Sequence, residues 1–370
     1  DTSSAAAHID NDKCISCGAC VYTCPFGAIS DKSYIVDIIE TLKGSNNNQN
    51  YKVYAVVAPS IASQFSYAKL DQVVTAIKQL GFHSVVEAAL GADMVAYKES
   101  KELAEKGFLT SSCCPAFVMY IEKAFPTMVD KISHNLSPMA EIAKFIKDSD
   151  PTAKVVFIGP CTAKKMEIKR PNSFTKGEQD TDHVLTTTEL VRMIKSAGID
   201  FANMECEEPD IPFGMASGGG KIFGVTGGVT EAVLRHLVPA HDTETLKAIS
   251  EFGMRGEEAI KEFTIQYEGT DINICVVSGL ANAHEVFRRI EAGEANYHLI
   301  EVMACKGGCV MGGGQPVKAG ECVKSVRTEG LYEVDTESAI KVSDDNADME
   351  KLYAEFLNGK THELLHNEGY

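Results

Sequence analysis

Lys154-Val-Val-Phe-Ile-Gly-Pro-Cys-Thr-Ala-Lys164 sets an apolar, β-branched run directly against a cysteine. Residues 154–158 read as a strand, and the loop that leaves it carries Cys161. The pattern recurs. Residues 53–58 lead into Pro59-Ser60, 298–303 into Cys305, and the short run 108–110 into Cys113-Cys114. A further strand-like run covers 272–277. Helical spacing appears at 70–80, stopping at Gly81, and at 138–147, 188–197, 229–237 and 281–292. Strands alternating with helices predict an α/β protein with mostly parallel sheets. In open α/β sheets ligands sit beyond the carboxyl ends of the strands, so these four loops are expected to converge on one site.

The chain has 370 residues and 44% hydrophobic content, enough for a core divided between lobes. A net charge of −17 argues against nucleic acid, which needs clustered Lys and Arg. No apolar run approaches the ~20 residues that span a bilayer. The opening residues 1–8 have neither the basic nor the apolar region of a signal peptide, so a cytoplasmic protein is expected. Twelve cysteines, tightly clustered in a long chain, favour metal ligands over disulfides. Sets made only of thiolates favour iron–sulfur clusters or zinc.

Cys14-Ile-Ser-Cys17-Gly-Ala-Cys20-Val-Tyr-Thr-Cys24-Pro25 has the bacterial ferredoxin spacing. Cys14, Cys17 and Cys20 are expected to cap three corners of a [4Fe–4S] cube; a zinc knuckle fits the spacing poorly. In two-cluster ferredoxins the fourth cysteine of such a run serves the other cluster. A second run is absent here. Either an upstream half lies outside this sequence, the reading favoured, or a single cluster takes Cys24 or a remote thiol. Residues 1–43 thus form a ferredoxin-like segment, the polar stretch 44–50 a linker, and 51–370 the main domain.

Three further segments carry the chemistry. The first is Thr110-Ser-Ser-Cys113-Cys114-Pro115-Ala-Phe117, in which one cysteine of the pair can bind metal while its neighbour points elsewhere. The second is Gly159-Pro160-Cys161-Thr-Ala-Lys164-Lys-Met-Glu167. The third is Glu301-Val-Met303-Ala-Cys305-Lys-Gly-Gly-Cys309-Val-Met-Gly312-Gly-Gly-Gln315-Pro316, whose glycines let backbone approach a bulky group. In order and spacing they resemble the three signature motifs of [FeFe]-hydrogenases. Ala58-Pro59-Ser60, the run 223–229 and the terminal Thr361-His-Glu-Leu-Leu-His366 extend the resemblance from about residue 51 to the end.

The resemblance implies a two-lobed α/β domain of twisted sheets with an H-cluster between the lobes. That cofactor is a [4Fe–4S] cube joined to a two-iron unit with CO, CN⁻ and a bridging azadithiolate. Cys114, Cys161, Cys305 and Cys309 would hold the cube, and Cys309 would also bridge to the two-iron unit. Lys164 and Ser60 would each bind a cyanide, with Pro59, Met303 and Phe223 walling the pocket. Cys113 would donate protons, supplied through Glu99, Glu102 and Ser133, with Lys106 where an arginine is often found near the surface. A helix over 93–106 places Glu99 and Glu102 one turn apart on one face; alone, that pair would read as a solvated surface. The implied activity is reversible oxidation of H2, with ferredoxin or a similar carrier as electron partner and maturases supplying the two-iron unit.

Three departures set the chain apart. Gly159 stands where many members have Met, Met139 where Gln is common, and Phe117 where Trp is usual. They imply a divergent subgroup with an altered pocket. Cys275 reads as a core thiol, Cys206 and Cys322 as bystanders, and the histidines form no metal set. Gly218-Gly-Gly and Gly227-Gly228 lack a dinucleotide fingerprint, so NAD and ATP have no support. Two other functions compete: a non-catalytic iron–sulfur assembly protein of the prelamin-recognition-factor type, and a hydrogen sensor. Those assembly proteins generally lack the Cys113 equivalent and the acidic relay. Sensors usually add a signalling domain and lose the donor cysteine. Membership of a larger bifurcating complex is a third reading.

Overall fold

Two four-stranded sheets organise the chain, and their inner strands are covered on both faces. In the computed structural model, residues 8–352 are described, apart from 66, 201–202, 239, 257, 268 and 317–322. The terminal 361–366 motif and Cys322 lie outside the described residues. The strands are β1 Val53–Val57, β2 Ser84–Glu87, β3 Leu109–Thr110, β4 Lys154–Gly159, β5 Phe174–Thr175, β6 Glu178–Gln179, β7 His183–Thr186, β8 Ile260–Tyr267, β9 Thr270–Ser278 and β10 Leu299–Met303. The first sheet runs β2-β1-β4-β7 and is all parallel. The second runs β3-β10-β9-β8; only β8, which forms a hairpin with β9, is antiparallel.

Burial on both faces explains why the strand sequences are apolar without alternation. Val155 and Phe157 of β4 face Ile142, Phe145 and Ile146 of helix Pro138–Ser149. Val156 and Ile158 face Val73, Val74 and Ile77 of helix Leu70–Gln79 on the opposite side. In the second sheet Ile274 and Val276 pack toward Val95 and Leu103 of helix Ala89–Lys106 and Val229 and Val233 of helix Gly228–Arg235. Cys275 and Val277 pack toward Phe117 and Ile121 of helix Pro115–Ala124 and Phe287 of helix Leu280–Glu291. Cys275 is fully buried, as a core thiol should be.

Helix Ile35–Gly44 buries Ile38 in the core of the first lobe, beside Val53 and Val57. The polar stretch after it is a hydrogen-bonded turn rather than a loose spacer. Asn46, Asn47 and Asn48 adopt positive φ (51°, 54° and 60°), and the Asn48 side chain accepts from Val53 N at 3.0 Å. Among the described residues no helix is long and apolar enough to cross a membrane.

Candidate metal centre

The carboxyl ends of β1, β3, β4 and β10 open onto one cavity. Cys113, Cys114, Cys161, Cys305 and Cys309 line it, with Pro59, Ser60, Lys164, Phe223 and Met303. Every residue that the sequence assigned to this pocket therefore meets here. Local backbone rules place them. Pro59 opens a 3₁₀ turn beyond β1, and Cys114 is the N-cap of helix Pro115–Ala124, with Pro115 at its first position. The loop after β10 turns through Gly307 and Gly308 at φ 89° and 88°. A Cβ on Gly308 would lie 2.8 Å from Thr226 N, so only glycine fits against the 224–226 segment. Further on, Gly314 N donates to Pro160 O at 2.7 Å, joining the third motif to the second.

The exposed part of each thiol lines the cavity, and all five are pushed toward their neutral form. Burial is the main cause, and it lifts Cys161 to about 11. The others follow in the same direction, and at Cys113, Cys305 and Cys309 neighbouring sulfurs add to it by repelling a thiolate. Lys164 opposes this at Cys114, Cys161 and Cys309. Thiols in such a place become thiolates when a metal supplies the positive charge. Among the described residues no three His, Cys, Asp or Glu converge tightly enough for a single ion. A lone tetrahedral zinc would hold its sulfurs about 3.8 Å apart, from Zn–S bonds of about 2.3 Å. Thiols ringed around a void suit a polynuclear cluster instead.

Lys164 is buried, with Nζ 2.6 Å from Glu167 Oε2 but off the line of a hydrogen bond; neither atom has a hydrogen-bond partner. A buried ammonium with unassigned protons suits an anionic ligand inside the cavity. Ser60 is fully buried, and Gln315 Nε2 reaches its Oγ at 3.5 Å.

The departures have physical consequences. A Cβ on Gly159 would lie 2.7 and 2.8 Å from the ring of Phe157 and 2.9 Å from Ala58 Cβ. Phe157 itself lines the cavity, so its ring occupies the space that a longer residue at 159 would need. Met139 also lines the cavity, whereas Phe117 packs in the core against Phe287, ring centroids 5.7 Å apart.

From Cys113 a line of polar groups leads outward. Glu99 is fully buried, and neither carboxyl oxygen has a partner in good hydrogen-bond geometry. Burial, aided by the charge of Glu102, raises it to about 8. Ser133 Oγ, also fully buried, donates to Glu102 Oε2 at 2.8 Å. Lys106 Nζ, over a third exposed, lies 2.6 Å from Glu102 Oε1. Sequence reasoning missed Asn135, whose amide touches both Ser133 and Glu102, and Phe157, which reads only as a strand residue. No periodicity or motif marks either one.

The N-terminal cysteine run sits on the same loops. Thr162 Oγ1 donates to Ser16 O at 2.8 Å, and a Cβ on Gly18 would lie 3.2 Å from Gly313 Cα. Cys17 lines the cavity edge. Cys24 is half-buried near the exposed Phe26, with its sulfur accepting from Ala28 N at 3.4 Å. Backbone N–H groups of residues 26–29, Ala28 foremost, hold that thiol below its ordinary range.

Comparison with known proteins agrees with this geometry. Residues 7–30 match the family described as 4Fe-4S binding domain, and residues 321–368 match Iron hydrogenase small subunit. The NADP-reducing hydrogenase subunit HndD of Solidesulfovibrio fructosivorans is 34% identical over 95% of this chain, which spans only 65% of that relative's length. Iron hydrogenase 1 of Clostridium pasteurianum is 34% identical, with 99% of this chain and 76% of that protein covered. A cytosolic Fe–S cluster assembly factor of Xenopus tropicalis is 27% identical, over 98% of this chain and 84% of its own. The solved [FeFe]-hydrogenase of Chlamydomonas reinhardtii superposes with a TM-score of 0.76 at 27% identity, covering 91% of this chain and 98% of that one. The match to the family Iron only hydrogenase large subunit, C-terminal domain, runs over residues 51–313, most of the chain, and the chain belongs to that family.

Proposed function

We propose that this protein is a hydrogenase that interconverts H2 with protons and electrons at an H-cluster. The observation that carries the reading is the fifth thiol. A [4Fe–4S] cube needs four ligands, and Cys114, Cys161, Cys305 and Cys309 suffice. Cys113 is then spare, and it lies at the inner end of a buried acid–hydroxyl–acid line that leads to the surface. A protein that only holds or passes on cubes has no use for such a line.

When bound, the two-iron unit supplies the place where H2 is split or formed. The chain supplies the rest. Lys164 donates to a cyanide with the protons that Glu167 leaves unassigned, and Ser60 donates to the other. Pro59, Phe223 and Met303 exclude water from the pocket. Burial keeps the Cys113 thiol protonated, ready to donate, and Glu99 holds the next proton. Ser133 and Glu102 carry protons between Glu99 and solvent, past Lys106. Residues 1–43 act as an electron-relay segment ahead of the 51–370 catalytic domain. Cys14, Cys17 and Cys20 hold three corners of its cluster, close to the H-cluster through Cys17; Cys24 or a remote thiol takes the fourth, unless Cys24 serves a second cluster. Electrons are exchanged there with a ferredoxin or similar small carrier. The cytoplasm, where thiols stay reduced, suits both clusters. Maturases supply the two-iron unit.

Hydrogen-dependent dye reduction by the anaerobically matured protein tests this reading, with infrared bands of CO and CN⁻ as proof of loading. Protein that takes up its cubes but shows neither CO and CN⁻ bands nor dye reduction after maturation would favour the second reading, an iron–sulfur assembly factor, which the Xenopus tropicalis relative supports by matching nearly the whole chain.

A further inference from the structure

Ser133 has one proton to give and two lone pairs to receive. Both lone pairs are taken by one neighbour. Asn135 Nδ2 donates to Ser133 Oγ at 2.8 Å, and the backbone N–H of Asn135 reaches the same oxygen at 3.3 Å. The hydroxyl proton is thereby left for Glu102 Oε2, at 2.8 Å. Asn135 Nδ2 also donates to that carboxylate oxygen at 3.2 Å. The amide cannot be turned round, because its carbonyl would then face a carboxylate oxygen. Asn135 is buried, and Ser112 Oγ, next to Cys113, donates to its backbone carbonyl at 2.8 Å. The residue is therefore clamped between the inner and outer parts of the proton route.

We propose that Asn135 is a positioning residue that holds the Ser133 hydroxyl toward Glu102 and so sets the rate of proton relay between Glu99 and Glu102 in both directions. The inference rests on the proton route proposed above. In the outward step the Glu99 O–H bond breaks as a new bond forms at Ser133 Oγ. The original Ser133 O–H bond breaks as one forms at Glu102 Oε2. No electrons move, and one negative charge passes from Glu102 to Glu99. The longer Asn135 bond, 3.3 Å, is the one that yields its lone pair to the incoming proton. Afterwards the new Ser133 proton points toward Glu99 and must swing back to Glu102. Asn135 favours that return, since its two N–H groups draw the lone pairs to its own side. Inward transfer runs through the same states in reverse, so Asn135 acts on both directions alike.

The test is Asn135→Leu, which keeps the bulk and removes the side-chain donor. Protein-film voltammetry on the matured enzyme reads the H2-oxidation and proton-reduction currents at one pH. Both should fall about fivefold, the worth of one ordinary hydrogen bond. A second reading needs no two-iron unit. In protein carrying only its [4Fe–4S] clusters, the infrared carboxylate stretch that disappears in Glu102→Gln should shift in Asn135→Leu. Unchanged currents or an unmoved carboxylate band overturns the assignment. If Glu102→Gln leaves both currents at wild-type level, the proton route itself fails, and Asn135 with it. Should Asn135→Leu not fold, Asn135→Asp keeps the shape and replaces the donor by an acceptor; it should lower both currents, and unchanged currents there overturn the proposal equally.

Discussion

Replacing Glu99 by Gln should stabilise the protein at high pH while stopping proton transfer. The carboxyl is fully buried and raised from 4.5 to about 8, chiefly by burial. In the unfolded chain it titrates near its ordinary value. Between those two values the folded form binds the proton more tightly, so stability is fully present below pH 4.5 and is lost as pH rises through about 8. The gap amounts to roughly 4–5 kcal/mol once both values are passed, about 3 of which is already lost at neutral pH. Gln cannot ionise, so Glu99→Gln escapes the loss. Its amide carries a constant cost for lacking partners, and for that reason the slope against pH, not the absolute stability, is diagnostic. From pH 5 to pH 9 the variant should gain roughly 4 kcal/mol on the wild type, about 5 °C in melting midpoint for a chain of this size. The measurement is a pair of thermal melts across that range on cluster-loaded protein under argon. All other titrating groups are shared and cancel in the difference. Turnover should fall about 10²–10⁴-fold, because Gln cannot pass a proton. Parallel melting curves would mean that Glu99 is ionised in the native protein, which would remove it as the buried proton holder.

Cys113→Ala should keep the CO and CN⁻ bands and lose about 10²–10⁴-fold in turnover, while Cys113→Asp recovers part of it; full activity in the alanine variant would send protons by another path. Cys309→Ala should abolish the CO and CN⁻ bands with the fold largely intact, and wild-type bands there would overturn the ligand assignment. Cys17→Ala should slow reduction by a protein carrier more than it alters the H-cluster spectrum; unchanged carrier-dependent turnover rules out an obligatory role. Gly159→Ala should destabilise by about 1–3 kcal/mol through the Phe157 ring and Ala58, and Phe157→Leu in the same chain should restore most of that loss in a denaturant titration.

The parts legible in the sequence were those fixed by local chemistry. The run 154–158 is apolar because β4 is covered on both faces, and that alone identifies a central parallel strand. The cysteine loops follow strand ends, so their convergence could be read before any contact was known. β2 and β7 were not seen, because four-residue strands are too short to show a period, and polar or charged residues sit at their ends. β8 was missed for a different reason. One of its two faces, carrying Glu262, Thr264 and Gln266, is exposed, and Lys261 and Glu262 break the apolar pattern that marks the other strands. The turn at 44–50 looked like a spacer because Gly, Ser and Asn serve both purposes. Only the positive φ of three successive asparagines separates a tight turn from a linker.

At the site the same division holds, and Gly159 shows why. The motif reveals that a side chain is absent at 159, but a missing side chain does not make an opening. The volume depends on Phe157, two residues back on the same face of β4, whose ring lies where the absent chain would go. Alternation along a strand makes positions 157 and 159 neighbours, so a small residue at one permits a large residue at the other. The Phe157 ring thus fills the space beside the glycine, and the missing side chain leaves no gap there. Asn135 is the polar counterpart. Its meaning lies in two hydrogen bonds to groups 2 and 33 positions away, which a sequence does not display. What remains hidden from sequence is pairwise dependence of this kind: Phe157 lines the pocket beside Gly159, and Asn135 touches Ser133 and Glu102.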